Sequence, residues 1–288
     1  MLPSPAAALR RLLAGPDIVL APGAADSVTA RLVQAAGFPA VYMTGFGATA
    51  SRLGTPDIGL LSQTEMTEHA RNMTRAVGIP VVADADTGYG GPSNIERTVH
   101  EHLQAGVAAI HLEDQVAPKR CGQMAGVRLI DAEENAARLR CAVRARGEHD
   151  LVIIGRTDAL QSAGVDEALQ RAARYADAGV DLVFVDGVKT VAEVEKIAAG
   201  VPGPKVVSLV DGTDAARLTA SDLQELGFDL ALFAVTTLFA ATRAAADALA
   251  GIAATGSLAG GPARHTYDEF TRVVDLAHHQ DLDHSFGA

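Results

Sequence analysis

The chain has 288 residues, 48% of them apolar, and its 24 Lys and Arg against 35 Asp and Glu leave a formal net charge of −11. An acidic chain without a basic run is a poor ligand for nucleic acid or for an anionic membrane surface. Arg10 and Arg11 split the apolar start of the chain, and no run of 18 apolar residues occurs, so we expect a cytoplasmic protein without a signal peptide or membrane span.

Eight short apolar segments recur along the chain, each rich in Val, Ile, Leu or Ala and apolar without alternation. A continuous apolar run of this length is typical of a parallel strand that is buried on both faces. The predicted strands cover residues 18–23, 40–45, 81–86, 108–114, 151–158, 182–187, 205–210 and 230–235.

Helical segments separate these strands, and several show apolar residues at i, i+3 and i+4 before a C-terminal glycine. Eight alternations of strand and helix predict an α/β fold, a single (β/α)8 TIM barrel domain over residues 1–288. A doubly wound open sheet is the alternative, but it would usually need fewer strands. An apolar stripe that includes Phe270, Val273 and Val274 predicts a C-terminal helical extension at 262–288, which we expect to pack on another surface such as a second subunit.

Acidic residues end two neighbouring strands, with Asp84 and Asp86 on the third strand and Glu113 on the fourth. The carboxyl ends of barrel strands form the mouth in which barrel enzymes build their sites. Asp84 and Asp86 should share one strand face because the strand period is two. Three carboxylates without a nearby His or Cys suit Mg²⁺ or Mn²⁺. The structural alternative is that one aspartate caps the following loop and another pairs with Arg97 or Arg156.

Arg156 ends the fifth strand behind an apolar run and close to these acids. A guanidinium there can hold a substrate carboxylate through two hydrogen bonds. The alternative is an ion pair with Glu113 or Asp186, and the two roles can coexist. The turn 44–47 offers backbone N–H groups suited to a carboxylate or phosphate, although glycine in a tight turn explains it equally well.

The stretch 118–128 follows the fourth strand and places Lys119 and Arg120 directly before Cys121. Nearby cations lower the pKa of a thiol, and a glycine-bearing loop beside a barrel mouth is suited to gating. Cys121 is therefore predicted to exchange a proton when this loop closes, with a small apolar loop residue as the alternative. Cys141 is expected to pack within a helix, and no CxxC or zinc spacing predicts a disulfide or a structural zinc.

The chain resembles the isocitrate lyase / phosphoenolpyruvate mutase superfamily in YMTGFGATASRLGTPDIGLL, DADTGYGG, AAIHLEDQVAPKRCG and IIGRTDAL, which occur in the family's order between about residues 10 and 250. It is most similar to the shorter bacterial members, of the 2-methylisocitrate lyase and carboxyphosphonoenolpyruvate mutase types. The resemblance implies a Mg²⁺-dependent barrel whose reactions pass through an enolate or aci-carboxylate. It also implies homodimers or homotetramers that exchange the last barrel helix.

The resemblance further implies roles for individual residues. Four residues would form the metal site. Asp84 would bind the metal ion directly, and Asp86, Glu113 and Asp57 would hold the water molecules bound to it. The predicted catalytic residues are Cys121, Lys119, Arg156 and Tyr42. The predicted substrate-binding residues are Thr44, Gly45, Phe46, Gly122, Asp186 and Ser208. In lyases of this superfamily the loop cysteine protonates the departing carbanion, and 118–128 would be the gating loop.

The sequence departs from the lyase pattern at five places. Gln123 stands where the lyases have a histidine, so a proton relay through that position is lost. Asp186 replaces a glutamate, Ser208 an asparagine, Asp211 a glutamate, and 215–216 a Thr-Pro pair. In the tricarboxylate lyases these positions contact the second substrate carboxylate. The changes weigh against methylisocitrate itself and leave the metal half of the site intact.

The sequence thus predicts a Mg²⁺-dependent carbon–carbon bond lyase that cleaves a small 2-hydroxy di- or tricarboxylate to an α-keto acid. One alternative is decarboxylation or hydrolysis of oxaloacetate at the same metal site. Another is phosphonate P–C bond chemistry, although Cys121 weighs against the mutase and hydrolase branches. A third, of a different class, is a non-catalytic carboxylate-binding barrel, which Gln123, Ser208 and Asp211 leave open.

Overall fold

The computed structural model describes residues 4–287, and its eight strands form a closed barrel. Each strand pairs in parallel with the next in chain order, and the eighth pairs with the first. The strands are β1 (Val19–Ala24), β2 (Val41–Met43), β3 (Val81–Asp84), β4 (Ala109–Glu113), β5 (Val152–Thr157), β6 (Leu182–Val185), β7 (Lys205–Leu209) and β8 (Leu230–Phe233). All eight predicted strands are present, and the predicted TIM barrel is confirmed.

Helices separate the strands as predicted, with several short additions. The helices up to β8 are α1 (Pro5–Leu13), α2 (Ser27–Ala35), α3 (Gly45–Leu53), α4 (Gln63–Ala76), α5 (Pro92–Ala105), α6 (Ala132–Arg146), α7 (Ala159–Ala163), α8 (Val165–Asp177), α9 (Val191–Gly200) and α10 (Ala220–Glu225). A 3-10 turn at Asp214–Arg217 precedes α10. After β8 come α11 (Thr236–Thr255), α12 (Tyr267–Val273) and α13 (Leu276–Phe286).

Both faces of the strands are buried, which explains why the strand segments are apolar without alternation. On β5, Val152 and Ile154 belong to the apolar cluster inside the barrel, whereas Ile153 belongs to a cluster formed with the surrounding helices. A parallel sheet covered by helices leaves neither face to water. The same alternation directs Arg156, two residues beyond Ile154, into the carboxyl-terminal mouth.

The helix α1 closes the opposite end of the barrel and was not predicted. Ser4 caps it by accepting a hydrogen bond from the backbone of Ala7, and Pro5 occupies its first turn. Leu9 is fully buried in the cluster inside the barrel. Arg10 donates to the carbonyl of Asp150, just before β5, so α1 lies at the amino-terminal ends of the strands.

The chain divides into two compact units, Met1–Thr236 and Thr237–Ala288. The first contains the whole barrel. The second contains α12, α13 and nearly all of α11, and none of these helices contains a buried residue. The division of the chain into one domain over 1–288 with an extension at 262–288 stays a prediction. Among the described residues, no helix has both the length and the apolar character that crossing a membrane requires.

Candidate active site

Charged side chains are concentrated at the carboxyl-terminal mouth of the barrel. Among residues 4–287, six buried carboxylates surround two buried cations there, and each of the eight is at most 7% exposed. The carboxylates belong to Asp57, Asp84, Asp86, Glu113, Asp158 and Asp186, and the cations to Lys119 and Arg156. This excess of buried negative charge is costly unless a further cation compensates it.

Asp84 is the last residue of β3 and faces the amino terminus of α3. Its Oδ2 accepts a hydrogen bond from the Gly45 N–H at 3.2 Å, and its Oδ1 accepts one from the Asp86 N–H at 2.9 Å. Gly45 has no room for a side chain, because a Cβ there would lie 2.4 Å from Asp84 Oδ2. Burial opposes ionisation of Asp84, but His111, which is charged at the low pH where Asp84 titrates, together with Lys119 and Arg156 outweighs it, and the pKa of the carboxyl is lowered.

The turn predicted at 44–47 is the beginning of a helix. Thr44 is the N-cap of α3, and its Oγ1 accepts a hydrogen bond from the Gly47 N–H at 3.4 Å. The first turn of α3 therefore begins at the mouth, where its Gly45 N–H donates to Asp84 and a helix amino terminus favours negative charge. Phe46 is the second residue of α3 and is half-buried.

Asp86 lies beyond the end of β3 and has a left-handed backbone, with φ of 48°. The prediction that Asp84 and Asp86 share a strand face is therefore wrong, because β3 ends at Asp84 and Asp86 lies outside the strand. Asp86 Oδ1 is instead 2.8 Å from Lys119 Nζ. Burial raises the pKa of Asp86 to about 6, and the charges of Asp84 and Asp57 add to this increase while Lys119 opposes it. A left-handed non-glycine residue is strained, and such residues are often found at functional sites.

Lys119 links the predicted gating loop to two of the predicted metal residues. Its Nζ is 2.7 Å from Asp57 Oδ2 as well as 2.8 Å from Asp86 Oδ1. Burial alone would lower the pKa of Lys119, but Asp86, Asp84 and other acids raise it well above its ordinary value. The ammonium group therefore remains charged and neutralises part of the acidic cluster.

Arg156 makes the ion pairs that were considered as the alternative to a substrate contact. Its Nε is 3.2 Å from Glu113 Oε2, and its Nη2 is 2.5 Å from Asp186 Oδ2. It also holds both carboxylate oxygens of Asp158, at 2.8 and 3.2 Å. The Arg156 guanidinium lies 5.3 Å from the centre of the Phe184 ring. Acids at or just beyond the ends of three strands thus hold the orientation of Arg156 in the mouth.

His111 is a site residue that the sequence analysis missed. It is fully buried on β4, its Nε2 is 2.9 Å from the Tyr42 hydroxyl, and its Nδ1 is 3.7 Å from Asp84 Oδ1. Burial lowers the pKa of His111 to about 4, so the imidazole is neutral at physiological pH. The expectation that no histidine lies near the acids is wrong. The sequence could have indicated His111, because it lies two residues before Glu113 on the same strand and both side chains then face the barrel interior.

Three buried residues could hold a metal ion together. One ligand atom from each of Asp84, His111 and Glu113 lies within 4.8 Å of the others. Glu113 Oε1 has no hydrogen-bond partner among the described residues. Burial raises the pKa of Glu113 well above its ordinary value despite the opposing charge of Arg156. The residues present therefore fit a divalent cation, and the carboxylates are the type of ligand that Mg²⁺ and Mn²⁺ take.

The loop 118–128, which is predicted to gate the site, lies against this cluster. The Cys121 N–H donates to the Asp57 carbonyl at 3.0 Å. A Cβ at Gly122 would lie 2.4 Å from Asp158 Oδ1 and 2.5 Å from Asp186 Oδ2, so only glycine lets the loop approach so closely. Burial raises the pKa of the Cys121 thiol to about 12, and the charges of Asp186 and Asp57 add to this.

The predicted lowering of the Cys121 pKa by its neighbouring cations is wrong. Lys119 points to Asp57 and Asp86, and Arg120 is exposed, so neither cation compensates the burial of the thiol. A thiol with a raised pKa stays protonated at neutral pH. It is therefore equipped to give a proton and poorly equipped to act as a nucleophile.

Asp114, next to Glu113, lies outside the mouth, where its contacts are structural. Its Oδ2 accepts hydrogen bonds from the hydroxyls of Thr157 and Tyr175, each at 2.7 Å, and pairs with Arg171 at 3.0 Å. Because successive strand residues face opposite sides, Asp114 joins β5 and α8 while Glu113 faces the mouth.

Comparisons with known proteins agree with this geometry. The phosphoenolpyruvate phosphomutase family profile matches residues 9–253. The 2,3-dimethylmalate lyase of Eubacterium barkeri is 39% identical over 282 residues, which are 98% of this chain and 98% of that protein. This chain belongs to the phosphoenolpyruvate mutase / isocitrate lyase superfamily.

Solved structures of the superfamily superpose on almost the whole chain. Oxaloacetate acetylhydrolase with the inhibitor 3,3-difluorooxalacetate has a TM-score of 0.93 at 34% identity, covering 99% of this chain and 98% of that one. Phosphonopyruvate hydrolase with oxalate and Mg²⁺ has a TM-score of 0.89 at 28% identity, covering 99% of both chains. The relatives are enzymes, and this chain is an enzyme of the same superfamily.

The structure also shows where three of the residues lie at which the sequence was found to differ from the lyase pattern. Ser208 is buried at the end of β7, 4% exposed. Asp211 follows in a turn, and its Oδ2 accepts a hydrogen bond from the Thr236 hydroxyl at 2.7 Å. The Nε2 of Gln123 is buried without a hydrogen-bond partner among the described residues. A buried amide without a partner is costly, so a polar ligand group at this position would relieve it.

Proposed function

We propose that this protein is a Mg²⁺-dependent carbon–carbon bond lyase that cleaves a 2-hydroxy di- or tricarboxylate and releases an α-keto acid. The observation that carries the proposal is the buried cluster of Asp84, Glu113 and Arg156, in which a candidate cation site adjoins a guanidinium suited to binding a carboxylate. The Cys121 N–H donates to the Asp57 carbonyl, so the predicted acid lies next to one of the acids of the mouth. The 39% identity with 2,3-dimethylmalate lyase over nearly the full chain supports a lyase of this type.

Asp84 and Glu113 would hold the metal ion directly or through its water molecules, with Asp86 and Asp57 nearby on Lys119. The bound Mg²⁺ would supply a Lewis acid for the oxygen on which negative charge develops. Electrostatic stabilisation of that kind is usually the largest single contribution to catalysis.

The protein's own groups would bind and orient the substrate. Arg156 would hold the carboxylate of the α-keto acid half, with its orientation fixed by Asp158 and Asp186. The Gly45 N–H at the amino terminus of α3 and the Tyr42 hydroxyl would complete the pocket for this half. Thr44, Phe46, Gly122 and Ser208 stay predicted members of the substrate-binding set.

The bond changes then balance as follows. A base, such as a carboxylate of the mouth, takes the proton of the substrate hydroxyl and returns it to solvent. A carbonyl forms at that carbon, and the electron pair of the broken C–C bond passes to the carbon of the leaving fragment. The Cys121 thiol gives its proton to that carbon, and solvent protons restore the thiol. A positioned acid contributes about 10²–10⁴-fold to such a step.

Hydrolysis or decarboxylation of oxaloacetate is the second candidate. The observation that favours it is the superposition on oxaloacetate acetylhydrolase over nearly the whole chain, with a TM-score of 0.93. Oxaloacetate presents the same 2-oxo carboxylate to the metal and to Arg156, so the described site would accept it equally well.

A substrate panel tests the proposal. Rates should be measured with Mg²⁺, and with EDTA as the control, on 2,3-dimethylmalate, 2-methylisocitrate, oxaloacetate and phosphonopyruvate. Mg²⁺-dependent formation of pyruvate or another α-keto acid from one of the first two is the expected result. Turnover of oxaloacetate alone would support the second candidate, and phosphonopyruvate turnover would support P–C chemistry. Tight oxalate binding without turnover of any substrate would support a carboxylate-binding barrel.

We further propose a homodimer or homotetramer in which the last barrel helix is exchanged. The support is that α11 contains no buried residue and leaves Leu249 65% exposed. Sedimentation velocity would measure the assembly, and a monomer at micromolar concentration would contradict it. The cytoplasmic location stays a prediction.

A further inference from the structure

Gln115 lies at the fixed base of the gating loop. It follows Asp114 at the end of β4 and is 1% exposed. Its backbone pairs with Leu129 across the base of the loop, and the next N–H, of Val116, donates to the Arg128 carbonyl at 2.8 Å. Gln115 is therefore anchored to the barrel, and the loop begins and ends beside it.

The Gln115 side chain holds both backbone polar groups of Arg120. Its Oε1 accepts a hydrogen bond from the Arg120 N–H at 2.8 Å, and its Nε2 donates to the Arg120 carbonyl at 2.7 Å. These two groups belong to the peptide bonds that join Arg120 to Lys119 and to Cys121. One buried amide thus fixes the backbone on which both predicted catalytic side chains of the loop are mounted.

The second hydrogen of the Gln115 amide reaches the substrate-binding side of the site. Nε2 also donates to Asp158 Oδ2 at 3.1 Å. The same oxygen accepts a hydrogen bond from Arg156 Nε at 3.2 Å. Both amide hydrogens are therefore used, one on the loop and one on the partner of the arginine.

The contact between the two sides is close and leaves little freedom. A Cβ at Gly122 would lie 2.4 Å from Asp158 Oδ1 and 2.9 Å from Arg156 Nη2, so the loop backbone lies directly on this ion pair. A change in the position of Arg156 must therefore move Asp158, and with it the amide that holds Arg120.

We propose that Gln115 is a positioning residue that couples occupancy of Arg156 to closure of the gating loop. The inference rests on the proposed function, since it takes Arg156 as the group that binds the substrate carboxylate. A carboxylate bound to Arg156 would restrain the Arg156–Asp158 pair further, and through Asp158 the Gln115 amide would hold Lys119 and Cys121 in their reactive positions. A displacement of about 1 Å in such positions can cost about 100-fold in rate.

Two variants separate the parts of this interaction. Gln115→Leu removes every hydrogen bond of the side chain at similar volume. Gln115→Glu keeps an acceptor for the Arg120 N–H but has no donor for the Arg120 carbonyl or for Asp158. The measurements on the full chain with Mg²⁺ are hydrogen exchange of residues 118–128 with and without oxalate, the oxalate Kd, and kcat and KM for the substrate found in the panel.

Oxalate should slow exchange in 118–128 of the wild-type protein, and both variants should lose most of this protection. The oxalate Kd should change little, and kcat should fall about 100-fold because the loop groups are misplaced. A role in folding alone would not produce a loss of oxalate-dependent protection in a folded protein. Gln34→Leu is the matched control, because Gln34 accepts a hydrogen bond from the Gly78 N–H at 2.6 Å, away from this loop.

Protection by oxalate in Gln115→Glu equal to that in the wild type would overturn the inference, as would a wild-type loop that oxalate does not protect. If these variants do not fold, Gln115→Asn keeps the amide but shortens its reach, and it should show the same loss. If the wild type cleaves no substrate of the panel but oxalate protects its loop and not that of the variants, the proposed function fails and the coupling stands.

Discussion

Replacing Lys119 with methionine should destabilise the protein by about 3–5 kcal/mol at pH 7.5, because it leaves two buried carboxylates without their cation. Lys119 Nζ lies 2.7 Å from Asp57 and 2.8 Å from Asp86, and the three residues are at most 5% exposed. Methionine keeps the apolar stem of the side chain and removes only the charge, so loss of packing contributes little.

The destabilisation caused by Lys119→Met should be smaller at low pH than at neutral pH. Burial already raises the pKa of Asp86 to about 6, and Lys119 opposes that increase, so the variant should raise the pKa further. A carboxyl with a raised pKa holds its proton more tightly in the native state, so its contribution to stability is present at low pH and is lost as the pH rises through the folded pKa. At about 1.4 kcal/mol per unit of pKa shift, the gap between variant and wild type should narrow by about 1–2 kcal/mol from pH 7.5 to 5.5.

Urea unfolding followed by circular dichroism, in EDTA at pH 5.5, 6.5 and 7.5, measures both effects. Lys196→Met, on the exposed face of α9, is the matched control and should change the unfolding free energy by no more than about 0.5 kcal/mol. A loss below about 1 kcal/mol at pH 7.5 would show that Lys119 does not compensate the acids. A gap that widens toward pH 5.5 would refute the protonation argument.

Three further results are expected. Asp84→Ala should abolish both the activity and its dependence on Mg²⁺; full activity in a steady-state assay would remove the metal from the mechanism. Cys121→Ala should lower lyase turnover at least about 100-fold and leave the oxalate Kd nearly unchanged, whereas surviving turnover would mean that another group is the acid. Asp114→Ala leaves the buried hydroxyls of Thr157 and Tyr175 without this acceptor and removes one acceptor of Arg171, which keeps Glu167 and the Ile130 carbonyl. Urea unfolding should show a loss of about 3–5 kcal/mol, and a loss within about 0.5 kcal/mol would contradict the structural position given to Asp114.

The strands, and the end of the barrel at which the buried charged residues lie, could be predicted because both follow from local composition. A strand buried on two faces must be apolar throughout, and β5 shows this with Val152 and Ile154 inside and Ile153 outside. Polar residues at the carboxyl ends of such strands, among them Asp84 and Arg156, then stand out from the sequence alone. The resemblance placed the same residues in one family pattern, and the profile match confirmed the family.

The pairing of these residues depended on contacts between distant parts of the chain. Lys119 meets Asp57 across 62 positions, and Tyr42 meets His111 across 69. Whether Lys119 lowers the pKa of Cys121 or compensates Asp57 is decided by which group lies closer in space, and no spacing in the sequence contains that information.

What the sequence by itself determined about this protein is the barrel and its charged carboxyl-terminal mouth, because periodicity and residue type act over a few neighbouring positions. The family followed from the resemblance of its motifs, which the profile match confirmed. Only the tertiary structure decided the left-handed turn at Asp86, the neutral His111 between Tyr42 and Asp84, and the amide of Gln115 between loop and arginine. Each of these depends on burial and on the direction of a side chain, which are properties of the packed chain and not of any local segment.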